Sequence, residues 1–413
     1  MGTRTLLHGG LVFDGTGAPP APADVVVSDG QVVEVGPGLD GDGSVDVTGC
    51  TVLPGLFDCH VHVTVSGVDV MQRLTRPFSY QFYAAAQNLR ATLAAGIPTA
   101  RDAGGADLGI QQALADGLIP GPRLLLSVNI IGQTGGHTDG WFPSGHDVPL
   151  GVSHPGRPDA LADGPDELRR VVRSLLRAGA DVIKVCTTGG VLSPRDDPRH
   201  TQYSPEELDV VVAEAAAAGR SVMAHAQGAE GIKNALRAGV RSIEHGIYLD
   251  DEAIELLLER EAWLVPTLVA PRAVLAAAGA GAQLPPAVVA KAAEVSAVHL
   301  ESVRRAAAAG VRIAMGTDSG VGPHGENLDE LVLMQECGMA PEQVLAAATS
   351  EAARLCGLQD RAGRLEPGLA ADLLVVEGDA RDLTDLRKRI RQVWQAGRPV
   401  SIAGQPPSCH DVA

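Results

Sequence analysis

The sequence predicts an α/β protein, a (β/α)8 TIM barrel with a small β-sandwich domain assembled from both chain ends. Three observations predict it. Alanine-rich helical segments repeatedly end in Ala-Gly and run at once into a β-branched stretch: "LAAGIPTARDA", "LRAGADVIKVC", "AAAGRSVMAHA", "LRAGVRSIEHG" and "AAAGVRIAMGT". Glycine suits the helix C′ position, where φ is positive, so each motif reads as helix, stop, strand. Eight strands can be counted over roughly 300 residues, and strands alternating with helices imply a parallel sheet; about 250 residues is typical of eight such units. Both chain ends instead alternate apolar and polar residues between Gly/Asp turns.

In chain order, "TLLHGGLVFDGTG", "ADVVVSDGQVVEVGPGL" and "SVDVTGCTVL" are short strands of the small domain, joined later by "ADLLVVEGD" and "IRQVWQAGRPV". That domain is expected over residues 1–53 and 362–413, and the barrel over 54–361. Barrel strands are expected near Leu53–Val63, Ile97–Ala103, Arg123–Ile131, Asp181–Thr187, Arg220–Ala226, Val240–Gly246, Ala262–Leu268 and Val311–Thr317. Helices between them, such as "SPEELDVVVAEAAAAG" and "DEAIELLLERE", carry apolar residues at helical spacing and acidic first turns. Ser204, Pro205 and Glu207 supply a near capping box. Two Gly/Pro-rich stretches, Gly132–Pro165 and Thr188–Ser204, exceed the length of about 12–15 residues beyond which loops tend to be functional or disordered. A doubly wound open sheet is the alternative, but its Gly-rich phosphate turn after the first strand is missing.

Composition narrows the function. A net charge of −17, without a Lys/Arg-rich run, argues against nucleic-acid binding. No apolar stretch reaches the roughly 18 residues of a membrane span, and "MGTRTLLHGGLVFDG" lacks a signal peptide's apolar segment, so a cytoplasmic location is expected. Cys50, Cys59, Cys186, Cys337, Cys356 and Cys409 form no C-x-x-C pair, which argues for reduced thiols.

The polar residues that end these strands carry the chemistry. "FDCHVHV" places His60 and His62 on one side of the first strand. Lys184 stands in the fourth strand, His225 ends the fifth, His245 the sixth, and Asp318 follows the eighth. In a barrel those strand ends converge on one mouth, and four imidazoles with a carboxylate make a metal site by ligand type. Each residue also has an ordinary explanation alone: a core histidine, a loop-capping Asp, a snorkelling Lys. The conjunction favours the metal site. His8, His154, His299 and His410 read as peripheral.

Lys184 poses a separate question, because a buried lysine needs a wet face, an ion pair, or conversion of its amine. Two cations close together repel unless an anion bridges them, and an ammonium has no lone pair to offer. A carbamate, formed when a neutral amine adds carbon dioxide, would present two oxygens and a negative charge. The context favours a carbamate on Lys184 bridging two metals.

These elements resemble the amidohydrolase superfamily: "PGLFDCHVH", Lys184, His225, His245 and "GTDSG", with "LHGGLVFDG" and "GRLEPGLAADLLVV" from the flanking domain. Within it, "QTGGHTDG", "TTGGVLSPRDDPRHTQYSPEEL" and "GTDSGVGPHGENLDEL" are most similar to the imidazolonepropionase-like group, which contains metal-dependent Xaa-Pro dipeptidases (prolidase-like enzymes) and ochratoxin-hydrolysing enzymes. The resemblance implies that His60, His62 and Asp318 hold one metal, that His225 and His245 hold another, and that carboxylated Lys184 bridges them. It implies His137 as the group polarising the scissile carbonyl. Two positions depart from the group: Gln227 stands where Tyr or His is frequent, and Thr138 where glycine is common.

The expected function is amide hydrolysis of a small substrate, a dipeptide or N-acyl amino acid, by a hydroxide bridging two divalent ions, zinc being the commonest. Asp318 would take the hydroxide's proton and pass it to the leaving nitrogen. The alternatives are a lactone, ester or phosphotriester hydrolase at the same site, a mononuclear deaminase using Glu244 as acid–base, and a scaffold without chemistry. His137, Gln227, Tyr203, Tyr248 and Arg195 are candidate substrate contacts. The partner is a small molecule, with neither nucleic acid nor membrane; a homo-oligomer follows by analogy alone.

Overall fold

The computed structural model describes residues 2–142, 144–148 and 151–400, so Cys409 and His410 and the end of the expected small domain lie outside the described residues. Among the described residues, the strands that alternate with helices lie in two all-parallel sheets. Phe57–Val61, Thr99–Asp102 and Arg123–Leu126 form the first, in that order. Ile130–Ile131, Val182–Cys186, Ser221–Ala226, Ser242–His245, Trp263–Val265 and Arg312–Ile313 form the second, also in chain order. Hydrogen bonds join the sheets at both edges. Asp181 N donates to Leu126 O at 2.7 Å, Cys59 N donates to Met315 O at 2.9 Å, and Val61 bridges Ser319 in parallel.

Five Ala-Gly stops turn the chain from helix to strand as expected. Gly96, Gly179, Gly219, Gly239 and Gly310 have φ of +85°, +98°, +67°, +97° and +84°, a region that only glycine enters without steric cost. At the other end of a helix, the Ser204–Glu207 capping box forms on both sides and starts Pro205–Ala217.

Strand periodicity answers the question of Lys184. Ile183 and Val185 pack into the main apolar core with Leu168, Val171, Leu208 and Val211 of the flanking helices. Val182 joins Ala103 and Met223 on the other face, and that face carries Lys184 and Cys186 into a cavity. Every residue of this strand is buried.

The expected first strand is two strands. Cys50–Pro54 pairs antiparallel with Leu373–Glu377 in a six-stranded sheet that contains segments from both chain ends. Gly55 N then donates to Asp372 O and Leu56 N to Gly96 O, which breaks the run before Phe57–Val61 enters the parallel sheet. The third strand is likewise interrupted between Leu126 and Ile130, where β-branched Val128 has a φ of +68°. Beside the six-stranded sheet lies a four-stranded one, in the order Gln31–Gly36, Asp24–Ser28, Thr5–His8, Gly43–Asp46. The two share a core of Leu7, Val25, Val52, Leu373, Val375 and Trp394. Among the described residues no helix is long and apolar enough to cross a membrane.

Candidate metal centre

His60, His62 and Asp318 meet at the C-terminal ends of the strands, with one ligand atom from each lying within 4.8 Å of the others. Asp318 Oδ1 is 3.5 Å from His60 Nε2 and 3.2 Å from His62 Nε2. Donors held at 2.0–2.1 Å from one tetrahedral ion stand about 3.3–3.4 Å apart, so the observed separations fit such a site. His245 lies beside His60, with ring centroids 5.1 Å apart, and His225 beside His245 at 4.7 Å. All these side chains, with Lys184 and His137, line one cavity.

Neighbouring groups set which nitrogen of each ring is free. His60 Nδ1–H donates to Glu244 Oε2 at 2.7 Å, and His62 Nδ1–H donates to the Gly104 carbonyl at 2.8 Å. For His60 this leaves Nε2 unprotonated toward Asp318, whereas His62 Nε2 stands within hydrogen-bond reach of the Asp318 carboxylate. His225 Nε2–H donates to Gly189 O at 3.1 Å, which leaves Nδ1 as its free donor atom. His245 Nδ1 is bonded to Thr267 Oγ1 at 2.7 Å. Such outer partners orient metal-binding imidazoles.

Electrostatics favours the lone-pair form at three of the four histidines. Burial, reinforced by nearby cationic groups, holds His60, His225 and His245 well below the ordinary imidazole pKa, so their lone pairs are available. Burial acts the same way on His62, but Asp318 and Asp102 outweigh it and raise that ring. Burial would raise Asp318, yet the neighbouring His60 and His62 rings and the His62 hydrogen bond hold its carboxyl below the usual range. Burial also lowers Lys184, whose Nζ has no hydrogen-bond partner. An amine so placed is both an orphaned donor and closer to its neutral, nucleophilic form.

Two ligand candidates depart from regular strand geometry. His245 has a φ of +72° and Asp318 of +60°, a conformation non-glycine residues rarely hold and one that clusters at functional sites. Period-two alternation would send Ile243 and His245 to the same face; Ile243 is in the outer core, and the left-handed turn at His245 sends its ring into the cavity instead.

His137 reaches the cavity from the long loop after the third strand. Its ring stacks on His225 with centroids 4.2 Å apart and planes at 18°. Nδ1 is 2.7 Å from Ser193 Oγ and 3.6 Å from Asp196 Oδ2. Asp196 in turn accepts from Ser193, the Gly190 amide and Lys291. Close approach requires a glycine at 190, because a Cβ there would stand 2.2 Å from His137 Cε1.

Of the expected substrate contacts, Gln227 lines the cavity. Tyr203 lies in the apolar core, with its hydroxyl donating to Ala162 O at 2.9 Å, and is not among the lining residues. Tyr248 stands under Arg199, whose guanidinium lies 4.7 Å from the ring centroid, also off the cavity. Arg195 covers Trp141 in an outer vestibule that shares His137, Leu192 and Pro285 with the cavity.

His299, expected to be peripheral, is buried in the cavity wall. Its Nε2–H donates to the His245 carbonyl at 2.8 Å, and burial lowers its pKa to about 4. It sits on a long helix, Pro286–Ala308, so no strand-end signal marked it. Glu244, considered as a deaminase acid–base, is fully buried, bonded to His60, Arg101 and Ser242, and does not line the cavity. Sequence reasoning also missed Asp58, which accepts from Thr317 and Asn327 beneath Asp318.

Known proteins share this arrangement of chain. A model of the amidohydrolase family matches residues 51–402. The chain is 35% identical over 421 residues to ochratoxinase of Aspergillus niger, covering 95% of this chain and 86% of that one. It is 28% identical over 403 residues to an imidazolonepropionase of Cereibacter sphaeroides, covering 89% and 91%. The crystal structure of an Xaa-Pro dipeptidase with methionine bound in its active site is similar with a TM-score of 0.88 at 33% identity, covering 97% of this chain and all of that one. A cluster of imidazoles and a carboxylate at parallel strand ends, within a family match of that extent, leads to one conclusion: the chain belongs to the amidohydrolase family and is a hydrolase acting on amide carbon–nitrogen bonds.

Proposed function

We propose that the enzyme is a binuclear metal-dependent amidohydrolase that cleaves an amide bond of a small substrate such as a dipeptide or an N-acyl amino acid. The observation that carries this reading is Lys184, buried and unpartnered among histidines whose lone pairs are free. His60, His62 and Asp318 would hold one divalent ion and His225 and His245 a second, with Lys184 bridging them as a carbamate. Zinc suits the donor set, and such ions would supply Lewis acidity and a water ionised near neutral pH.

The chain's own groups do the rest. Asp318, ionised at the centre, accepts the proton released as water attacks the amide carbon and delivers it to the departing nitrogen. His137 is held by Ser193 and Asp196 on one edge, so its other ring nitrogen is left to meet the carbonyl oxygen. Glu244 is occupied with His60 and Arg101, which removes the acid–base that a deaminase reading requires.

The architecture proposed with this function is one closed (β/α)8 barrel over residues 54–361 and a β-sandwich over 1–53 and 362–413. Support comes from the hydrogen bonds at both sheet edges and from the core shared by the two small sheets.

The test is elemental analysis of protein purified without chelator from bicarbonate-supplemented culture, beside a dipeptide and N-acyl amino acid panel. Two ions per chain, falling to one or none in Lys184→Ala, is the expected result. One ion, indifferent to that substitution, overturns the binuclear reading.

A further inference from the structure

Two of the described cysteines touch. Cys59 Sγ and Cys356 Sγ stand 3.9 Å apart, although their positions in the chain differ by 297. Cys59 is fully buried in the strand Phe57–Val61, one residue before His60, and Cys356 caps the C-terminus of the helix Ser350–Leu355. The two share a small apolar cluster with Phe57, Trp263, Ala352 and Leu355. Neither residue lines the metal cavity, and the hydrolytic chemistry uses neither thiol.

Their surroundings give the two thiols different parts. Cys356 is the partly exposed one, so a small oxidant meets it first. The hydrogen bond from Cys59 and the nearby Arg101 and Arg241 guanidiniums hold its thiol below the ordinary range, which is the setting of a reactive cysteine. Arg241 is fixed there by donating to the carbonyls of Leu355 and Arg354 at 2.9 and 2.6 Å. Cys59 is closed off from solvent but lies against the sulfur that an oxidant reaches. Its backbone, in turn, is tied to the metal centre. Arg101 Nε donates to the Cys59 carbonyl and Arg101 Nη2 to Glu244, whose other oxygen holds the His60 ring.

We propose that Cys356 and Cys59 form an oxidisable pair that hydrogen peroxide converts to a disulfide, and that this linkage moves His60 out of its metal-binding position. The Cys356 sulfur attacks the peroxide: an S–O bond forms, the O–O bond breaks and one water leaves. The Cys59 sulfur then attacks the resulting sulfenic acid: an S–S bond forms, the S–O bond breaks and a second water leaves. The two thiols together lose two electrons, the peroxide gains them, and both thiol protons end in water. The sulfurs must close from 3.9 Å to the roughly 2.05 Å of a disulfide. That approach pulls the strand at residue 59 toward the helix, against the bond from Cys59 N to Met315 O at 2.9 Å. None of this depends on how many ions the centre holds.

The test treats the metal-loaded enzyme with a small excess of hydrogen peroxide and maps its thiols by mass spectrometry after non-reducing digestion. The expected product is a linked Cys59–Cys356 peptide that disappears on reduction with a phosphine. Chelator competition reads the consequence. Metal affinity is expected to be about 10–100-fold weaker in the linked protein, the scale for a disturbed outer partner of a ligating histidine, and to recover on reduction. Cys356→Ala is expected to keep its metal through the same treatment. Cys356 recovered as a free thiol, or as a sulfenic or sulfinic acid beside an unmodified Cys59, overturns the pair. Linked protein that holds its metal as before, or equal weakening in peroxide-treated Cys356→Ala, overturns the coupling to His60.

Discussion

His60 and Glu244 are joined by a 2.7 Å hydrogen bond from Nδ1–H to Oε2, with both side chains buried. Arg101 closes the arrangement by donating to the other carboxylate oxygen at 3.0 Å and, from Nε, to the Cys59 carbonyl at 2.7 Å. The bond keeps the proton of His60 on the ring edge away from the cavity. A carboxylate in that place also raises the basicity of a ligating imidazole.

Glu244→Gln is therefore expected to weaken metal binding by about 10–100-fold, the range for outer partners of ligating histidines. It also leaves Arg101 as an unpaired buried charge, which costs about 3–5 kcal/mol of stability. Chelator competition and urea denaturation measure the two effects separately. Unchanged metal affinity would remove Glu244 from the centre.

Asp318→Asn keeps an oxygen donor at the centre and loses the base. Turnover on any amide substrate is expected to fall by about 10²–10⁴-fold while metal content stays near that of the parent protein. A variant that turns over normally with its metals in place contradicts the assigned role.

Gly190→Ala tests His137 without altering it. The added Cβ collides with the ring, so His137 must leave its stack on His225. The expected outcome is a loss of roughly 10²-fold in kcat, as for one oxyanion donor, with KM changed much less. A parallel loss of metal would instead mean that His225 moves as well.

Glu330 predicts a pH effect on stability. It is buried, accepts from the amides of Leu268 and Val269 at 2.8 and 2.9 Å, and burial pushes its pKa from 4.5 up to about 8. A carboxyl raised in the folded state binds more protons folded than unfolded between those values. Its contribution is thus complete below pH 4.5 and lost as pH rises through about 8. Urea unfolding from pH 5 to 9 should show a steeper fall in stability for the parent protein than for Glu330→Gln. Parallel profiles would contradict the assignment.

The five Ala-Gly stops, the capping box at Ser204 and the shared face of His60 and His62 were legible in the sequence. Each depends on backbone preferences acting over a few residues: positive φ at glycine, a side chain reaching its own helix, the period of a strand. The ligand-type residues were legible for a related reason, since the repeat marks strand ends before any contact is known. Other features required the tertiary structure. Glu244 lies 184 residues from His60, and only the packing of the first and sixth strands makes it that ring's partner. His245 would face the core by alternation, and its left-handed turn, unusual for histidine, reverses it. Tyr203 and His299 exchanged their expected places, one to the core and the other to the cavity wall, because exposure depends on what distant helices cover. Gly55 and Leu56 split one apolar run between two sheets through bonds to Asp372 and Gly96. Local propensity chooses the elements, whereas pairing between residues far apart in the chain decides which polar groups meet.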